Sequence, residues 1–175
     1  MASLPALATD RLTLRPLAGE DGAALHAAFS DPGVMKYWSG GPHETVEQTL
    51  AYAAENAAGE PYATWAITED GGEALGWVTL GRARQGVAEI GFILRRDRWG
   101  RGYAGEAAQA VLAHGFAEMG LHRVFADIDP DNAASIGVVV RLGFRLEGRL
   151  RQAWKTHIGL RDSLIYGLLK DEYRT

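Results

Sequence analysis

Between Val87 and Ile128 the sequence reads as an apolar strand, a charged turn, an amphipathic helix and a second apolar strand. A helix that carries the chain from one strand back to its neighbour makes the two strands parallel, and a right-handed connection is the one a twisted strand allows. The helical segment has the clearest pattern in the chain. Ala104, Ala108, Val111, Leu112, Gly115, Phe116 and Met119 recur at the 3.6-residue period, and Gly120 supplies the stop. This helix packs on a sheet that contains residues 87–94 and 123–128.

The rest of the chain is dominated by period-two segments joined by short turns, which predicts antiparallel neighbours. Strands are expected at 11–15, ended by Pro16, at 62–68, at 75–80, and in a final pair at 144–154 and 162–169 separated by a polar loop. Helices are expected at 20–29 and 45–58, with a short one starting at Asn132 and ending near Gly143. The result is an α+β fold, a single domain over 1–175, with a mixed but mostly antiparallel sheet of six to seven strands flanked by about four helices.

The turn between the parallel strand and its helix is chemically specific. The first turn of a helix leaves backbone N–H groups unpaired at the positive end of its dipole, and the glycines at 100, 102 and 105 let an anion approach them. Arg95, Arg96, Arg98 and Arg101 add positive charge, so the segment reads as a site for a phosphorylated ligand. Gly100, Gly102 and Gly105 also fit a dinucleotide-binding pattern, with Asp127 or Asp129 at the spacing of its ribose acid. In that motif the first glycine follows the strand directly, whereas residues 95–99 intervene here, which argues against NAD. A P-loop is excluded because no lysine followed by Ser or Thr comes after the last glycine.

The formal charge of −4 gives no electrostatic reason to expect nucleic-acid binding, so the arginines point to a small anion. No segment approaches the roughly 18 apolar residues of a membrane span, and the N-terminus lacks the basic start of a secretory signal. A cytoplasmic location, with no membrane partner, is the expectation. The chain has no cysteine, which removes a thiolate nucleophile and a cysteine zinc site. His26, His43, His114, His122 and His157 show no metal-ligand spacing, so no metal is expected.

The runs from Glu89 to Leu94, from Trp99 to Ala104 with Glu106 and Ala107, from Asn132 to Ser135 and from Arg141 to Phe144 together resemble the GNAT acetyltransferases. They are most similar to the branch that holds the ribosomal-protein N-terminal acetyltransferases and spermidine acetyltransferase. The resemblance implies the GNAT fold, with acetyl-CoA between splayed parallel strands. It implies that backbone groups of Phe92, Ile93 and Leu94 pair with the pantetheine arm, that amides of Trp99, Gly100, Arg101, Gly102, Tyr103, Ala104 and Gly105 hold the pyrophosphate, and that Asn132 lies against the cofactor. Two positions depart from the family. Trp99 replaces the usual Gln or Arg, and Val139 stands where many relatives place a tyrosine that protonates the departing thiolate; the N-terminal acetyltransferase branch often has a serine nearer the start of that helix, here Ser135.

Acetyl transfer needs a neutral amine, yet α-amino groups titrate near ~8 and lysine near ~10. Glu89 is the candidate base: Ala88, Ile90, Phe92 and Leu94 share one strand face, so Glu89 points to the other, with Gly91 leaving room beside it. Ser135 is the candidate donor to the sulfur, with Asn132 as helix N-cap. Tyr37, Trp38 and His43, in the loop between the first two helices, are candidate walls of the acceptor pocket. The expected activity is direct transfer from acetyl-CoA to a primary amine, a protein N-terminus or a small molecule, by a monomer or homodimer. The alternative is a non-catalytic acyl-CoA-binding or regulatory module.

Overall fold

The structure is a computed structural model that describes residues 4–174. One eight-stranded sheet runs in the order β1-β2-β3-β4-β5-β6-β8-β7. Its strands are β1 (Leu7–Ala8), β2 (Thr13–Pro16), β3 (Tyr62–Thr68), β4 (Gly76–Arg84), β5 (Val87–Leu94), β6 (Arg123–Ile128), β7 (Arg145–Thr156) and β8 (Gly159–Leu169). Among the described residues only β5 and β6 pair in parallel, as the crossover helix requires. The helices are α1 (Gly22–Phe29), α2 (Val46–Ala57), α3 (Tyr103–Ala117) and α4 (Ala133–Arg141).

Two apolar clusters lie on opposite faces of the sheet. On one face, Val111, Leu112 and Phe116 of α3 pack against Leu80, Ala88, Ile90, Val124 and Leu168. On the other, Leu25 and Phe29 of α1 and Ala53 of α2 pack against Ala66, Trp77 and Ile93. The two helices of this second layer cross closely, since a Cβ at Gly22 would come within 2.6 Å of Leu50 Cα. Helix α2 opens on a reciprocal cap: Thr45 Oγ1 accepts from Gln48 N–H, and Gln48 Oε1 accepts from Thr45 N–H.

Three local expectations are corrected. Pro16 continues its strand opposite Trp65, because β1 pairs only with Thr13 and Leu14 and leaves that side of Pro16 without a ladder to interrupt. The two-residue β1 gives the sheet an eighth strand; so short a segment carries no periodicity. The polar loop expected after Trp154 is instead ordered hairpin, with Thr156 paired to Gly159 across His157 and Ile158, and Gly159 at φ 105° makes that turn possible. Trp154 and Arg161 thereby become cross-strand neighbours.

Candidate active site

Strands β5 and β6 share only the rungs Val87 to Arg123, Ala88 to Val124 and Glu89 to Phe125. Beyond them β5 stays paired with β4 as far as Leu94, and β6 with β8 as far as Ile128. The facing edges therefore separate and present backbone groups outside any ladder. An extended ligand with amide groups can bond to such an edge as an added strand does. Phe92 and Leu94 turn their backbone groups to it, although the Leu94 carbonyl already accepts from Trp99 Nε1 at 2.8 Å. Ile93, opposite Trp77, turns its own into the β4 ladder, as Arg95 N–H does to Leu75 O, because successive residues of a strand face opposite neighbours.

The turn after β5 ends in Gly100 and Gly102, at φ 76° and 79°, left-handed conformations that suit glycine. Helix α3 follows, and its first internal donor is Glu106 N–H to Gly102 O at 3.0 Å. The amides of Tyr103, Ala104 and Gly105 are thus free of intrahelical bonds. A Cβ added at Gly100 or Gly105 would meet nothing within 4 Å, so the space beside these amides is open. Both features fit a pyrophosphate.

The arginines of the turn divide by partner. Arg95 pairs with Glu73 and Asp97, and Arg98 lies 3.3 Å from Asp97. Arg96 forks onto both oxygens of Asp31 at 2.6 Å and lies over the Trp99 ring, tying the turn to the loop after α1. That guanidinium holds the Asp31 carboxyl far below the usual range. Arg101 has no ion-pair partner among the described residues, so its charge is uncompensated there. Tyr103 is nearly buried, with its hydroxyl donating to Glu69 Oε1, so its side chain is scaffold and its amide is the available group.

Asn132 caps α4, its Oδ1 accepting from Ser135 N–H at 3.1 Å. The Ser135 hydroxyl forms no intramolecular hydrogen bond among the described residues. Val139 is fully buried in the cluster on the α3 face.

On the opposite face, a cleft of about 310 Å³ runs from the α1–α2 loop to the β7–β8 hairpin. Tyr37 and Trp38 line it, as do Tyr52, Trp77, Glu89, Asp127 and Trp154. His43 is not among its lining residues. Its ring stacks on Phe29 and its Nδ1 shares the buried Thr49 hydroxyl with His26, and burial pushes its pKa down. Solvent reaches Glu89, but the concave wall excludes enough water to raise its pKa above the ordinary glutamate value, and Asp127 raises it further. Asp127 is itself raised by burial, against the opposing effect of a bond from Trp154 Nε1 at 3.0 Å. Ser163 Oγ donates to its other oxygen.

Arg161, the one cation among the residues lining the cleft, forks onto Asp129 at 2.7 and 2.8 Å and reaches Asp131 at 2.5 Å. The cleft therefore offers two unneutralised carboxylates, an aromatic wall and no free positive charge. Of these groups the sequence marked Glu89, Tyr37 and Trp38. Asp127 was singled out there only for the dinucleotide pattern. Trp154 faces it because a bulge in β7, with Gln152 at φ 50° and its N–H on Asp162, shifts the register between Leu150 and Trp154.

The model of the acetyltransferase (GNAT) domain matches residues 11–145. The chain belongs to the GNAT acetyltransferase family. It is 35% identical to the uncharacterized N-acetyltransferase p20 of Bacillus licheniformis, over 95% of this chain and 97% of that one. Against spermidine N(1)-acetyltransferase of Escherichia coli K12 the identity is 26%, covering 91% and 87%. The crystal structure of a GNAT-family acetyltransferase from Bacillus anthracis superposes with a TM-score of 0.87 at 30% identity, covering 96% of this chain and all of that one. This protein is an acetyl-CoA-dependent N-acetyltransferase. Among the described residues no group of three or more metal-ligating side chains is assembled, and no helix is long and apolar enough to cross a membrane.

Proposed function

We propose that this acetyltransferase acts on a cationic primary amine that carries no carboxylate beside its nitrogen, a peptide N-terminus or a small-molecule amine. The observation that carries this reading is the acidic, aromatic cleft whose single lining cation is already taken by Asp129 and Asp131. An ammonium ion gains from such a cleft, whereas a free amino acid would bring a carboxylate with no partner.

Acetyl-CoA supplies an activated acetyl thioester. Glu89 accepts one proton from the ammonium nitrogen, so an N–H bond breaks, an O–H bond forms, and the freed pair can attack the carbonyl. As the C–N bond forms and the C–S bond breaks, Ser135 Oγ–H is the donor assigned to the sulfur. The second amine proton passes to the thiolate, and Glu89 returns its own to solvent. A backbone N–H of β5 that faces the gap, that of Phe92 or Leu94 beside Ile93, is the donor assigned to the carbonyl oxygen. No acetyl-enzyme is formed.

A panel of spermidine, benzylamine, a peptide with a free N-terminus and free amino acids, followed by thiol release, tests the reading. Turnover is expected with the carboxylate-free cations and with the peptide. A free amino acid as the best acceptor would overturn it.

A further inference from the structure

Four carboxylates line the end of the cleft at Glu89, Asp127, Asp129 and Asp162, and they are not alike. Asp129 is forked by Arg161, and Asp162 pairs with Arg149 at 2.7 Å and accepts from Gln152 N–H. Glu89 and Asp127 have no cation among the described residues. They also share a sheet face. Glu89 stands opposite Phe125 at the last parallel rung, and Asp127, two residues further along β6, points the same way just past the point where the strands part. Asp127 is held there by two uncharged donors, Trp154 Nε1 and Ser163 Oγ, which fix its direction without neutralising it.

The other groups facing this pair add no compensating charge. Strand β4 presents Thr79 and Gly81, β3 presents Tyr62, and α2 presents Tyr52 and Asn56; the loop before α2 presents Tyr37 and Trp38, and β8 presents the already paired Arg161 and Asp162. Two like charges left facing each other in a partly desolvated cleft are costly unless a cation joins them. A second, independent observation comes from the same wall. Trp77, which lines the cleft, is 1% exposed, and its indole N–H has no hydrogen-bond partner among the described residues, a buried donor left unsatisfied at this wall.

Resting on the acceptor reading above, we infer that Asp127 is a second substrate-contacting carboxylate. It receives the acceptor as its ammonium ion and holds that nitrogen beside Glu89, which removes the proton. Glu89 then sets turnover, and Asp127 sets affinity for the cation and the orientation of the nitrogen. Trp154 acts through Asp127, as a positioning residue.

Calorimetry on the CoA-loaded protein with benzylamine and the neutral benzyl alcohol as probes tests this. The wild type is expected to prefer the cation, and Asp127→Asn to lose about tenfold of that preference while keeping its affinity for CoA. Asp127→Glu is expected to restore part of the preference. In steady state with benzylamine, Asp127→Asn should raise the amine KM more than it lowers kcat and move the acid limb of kcat/KM to lower pH. Trp154→Phe, which removes a donor that favours ionised Asp127, should move that limb to higher pH. An unchanged cation preference in Asp127→Asn, an unmoved acid limb, or a wild type indifferent to the probe's charge would overturn the role of Asp127. Failure of the acceptor reading looks different: a free amino acid would be the best acceptor of the wild type, or no carboxylate-free amine would release thiol from it.

Discussion

Glu89 on β5 and Glu106 on α3 are both acids borne on regular elements, and their surroundings shift them in opposite directions. Glu89 has its pKa raised by burial and by Asp127, so folding strains its charged form. A raised carboxylate binds its proton more tightly folded than unfolded, so its stability penalty is absent below the ordinary glutamate range, grows as pH rises, and is complete above the folded pKa. Glu89→Gln should therefore unfold at a higher temperature than wild type at pH 8, with the gap closing toward pH 4, while turnover falls by about 10²- to 10³-fold. A variant that loses activity and stability together would mark Glu89 as structural. Glu106 runs the other way. Burial would raise its pKa, but bonds from Thr9 Oγ1, Arg11 N–H and the Arg11 guanidinium prevail and hold it low. That contribution is present above the unfolded pKa and is lost as pH falls through the folded one, so Glu106→Gln should lower the unfolding free energy by about 1–2 kcal/mol at neutral pH and by less near pH 3, measured by urea titration. Glu89 was legible in the sequence because period two alone sends it away from Ala88 and Ile90. The environment of Asp127 was not, because its two donors lie 27 and 36 residues further along the chain.

At the scale of elements, the join between β5 and α3 separates backbone geometry from ligand access. Gly102 sits at φ 79°, where an added Cβ costs about 1–2 kcal/mol, so Gly102→Ala should lower thermal stability and weaken acetyl-CoA binding together. Gly105 is within α3 with open space beside it. Alanine there should raise stability by about 0.5–1 kcal/mol through helix propensity, yet weaken acetyl-CoA binding severalfold by placing a methyl group beside the free amides. Thermal melts with and without acetyl-CoA separate the two: the ligand-induced rise in Tm should shrink in both variants, from a lower baseline in one and a higher baseline in the other. An undiminished rise in Gly105→Ala would show that the phosphates lie elsewhere. The existence of α3 was legible from its apolar period and Gly120. The pairing of its arginines was not, since Arg96 finds Asp31 across 65 residues of chain, and what reads as a fourfold positive patch is largely a set of internal ion pairs.

The whole molecule explains why a cleft exists at all. Helix α3 covers the sheet on one face, while α1 and α2 cover the other face around Ala66, Trp77 and Ile93, leaving the acceptor-side surface of β6, β8 and β7 without a helix. The uncovered surface meets the splay between β5 and β6 at Glu89, with acetyl-CoA proposed on the α3 side and the amine on the α1–α2 side. The α+β class and the lone parallel pair were legible because a crossover helix dictates them. The acceptor wall was less so, because it is built from residues as distant as Tyr37 and Trp154, brought together only by strand order and the β7 bulge. The proposed direct transfer requires both substrates to be present before chemistry. The chain has no cysteine, and the Ser135 hydroxyl has no hydrogen-bonded base among the described residues to make it a nucleophile. Initial rates with acetyl-CoA and amine varied together should give intersecting double-reciprocal lines, and acetyl-CoA alone should release no burst of thiol. Parallel lines, with one equivalent of thiol freed before any amine is added, would require a covalent acetyl-enzyme and would move the chemistry away from Glu89.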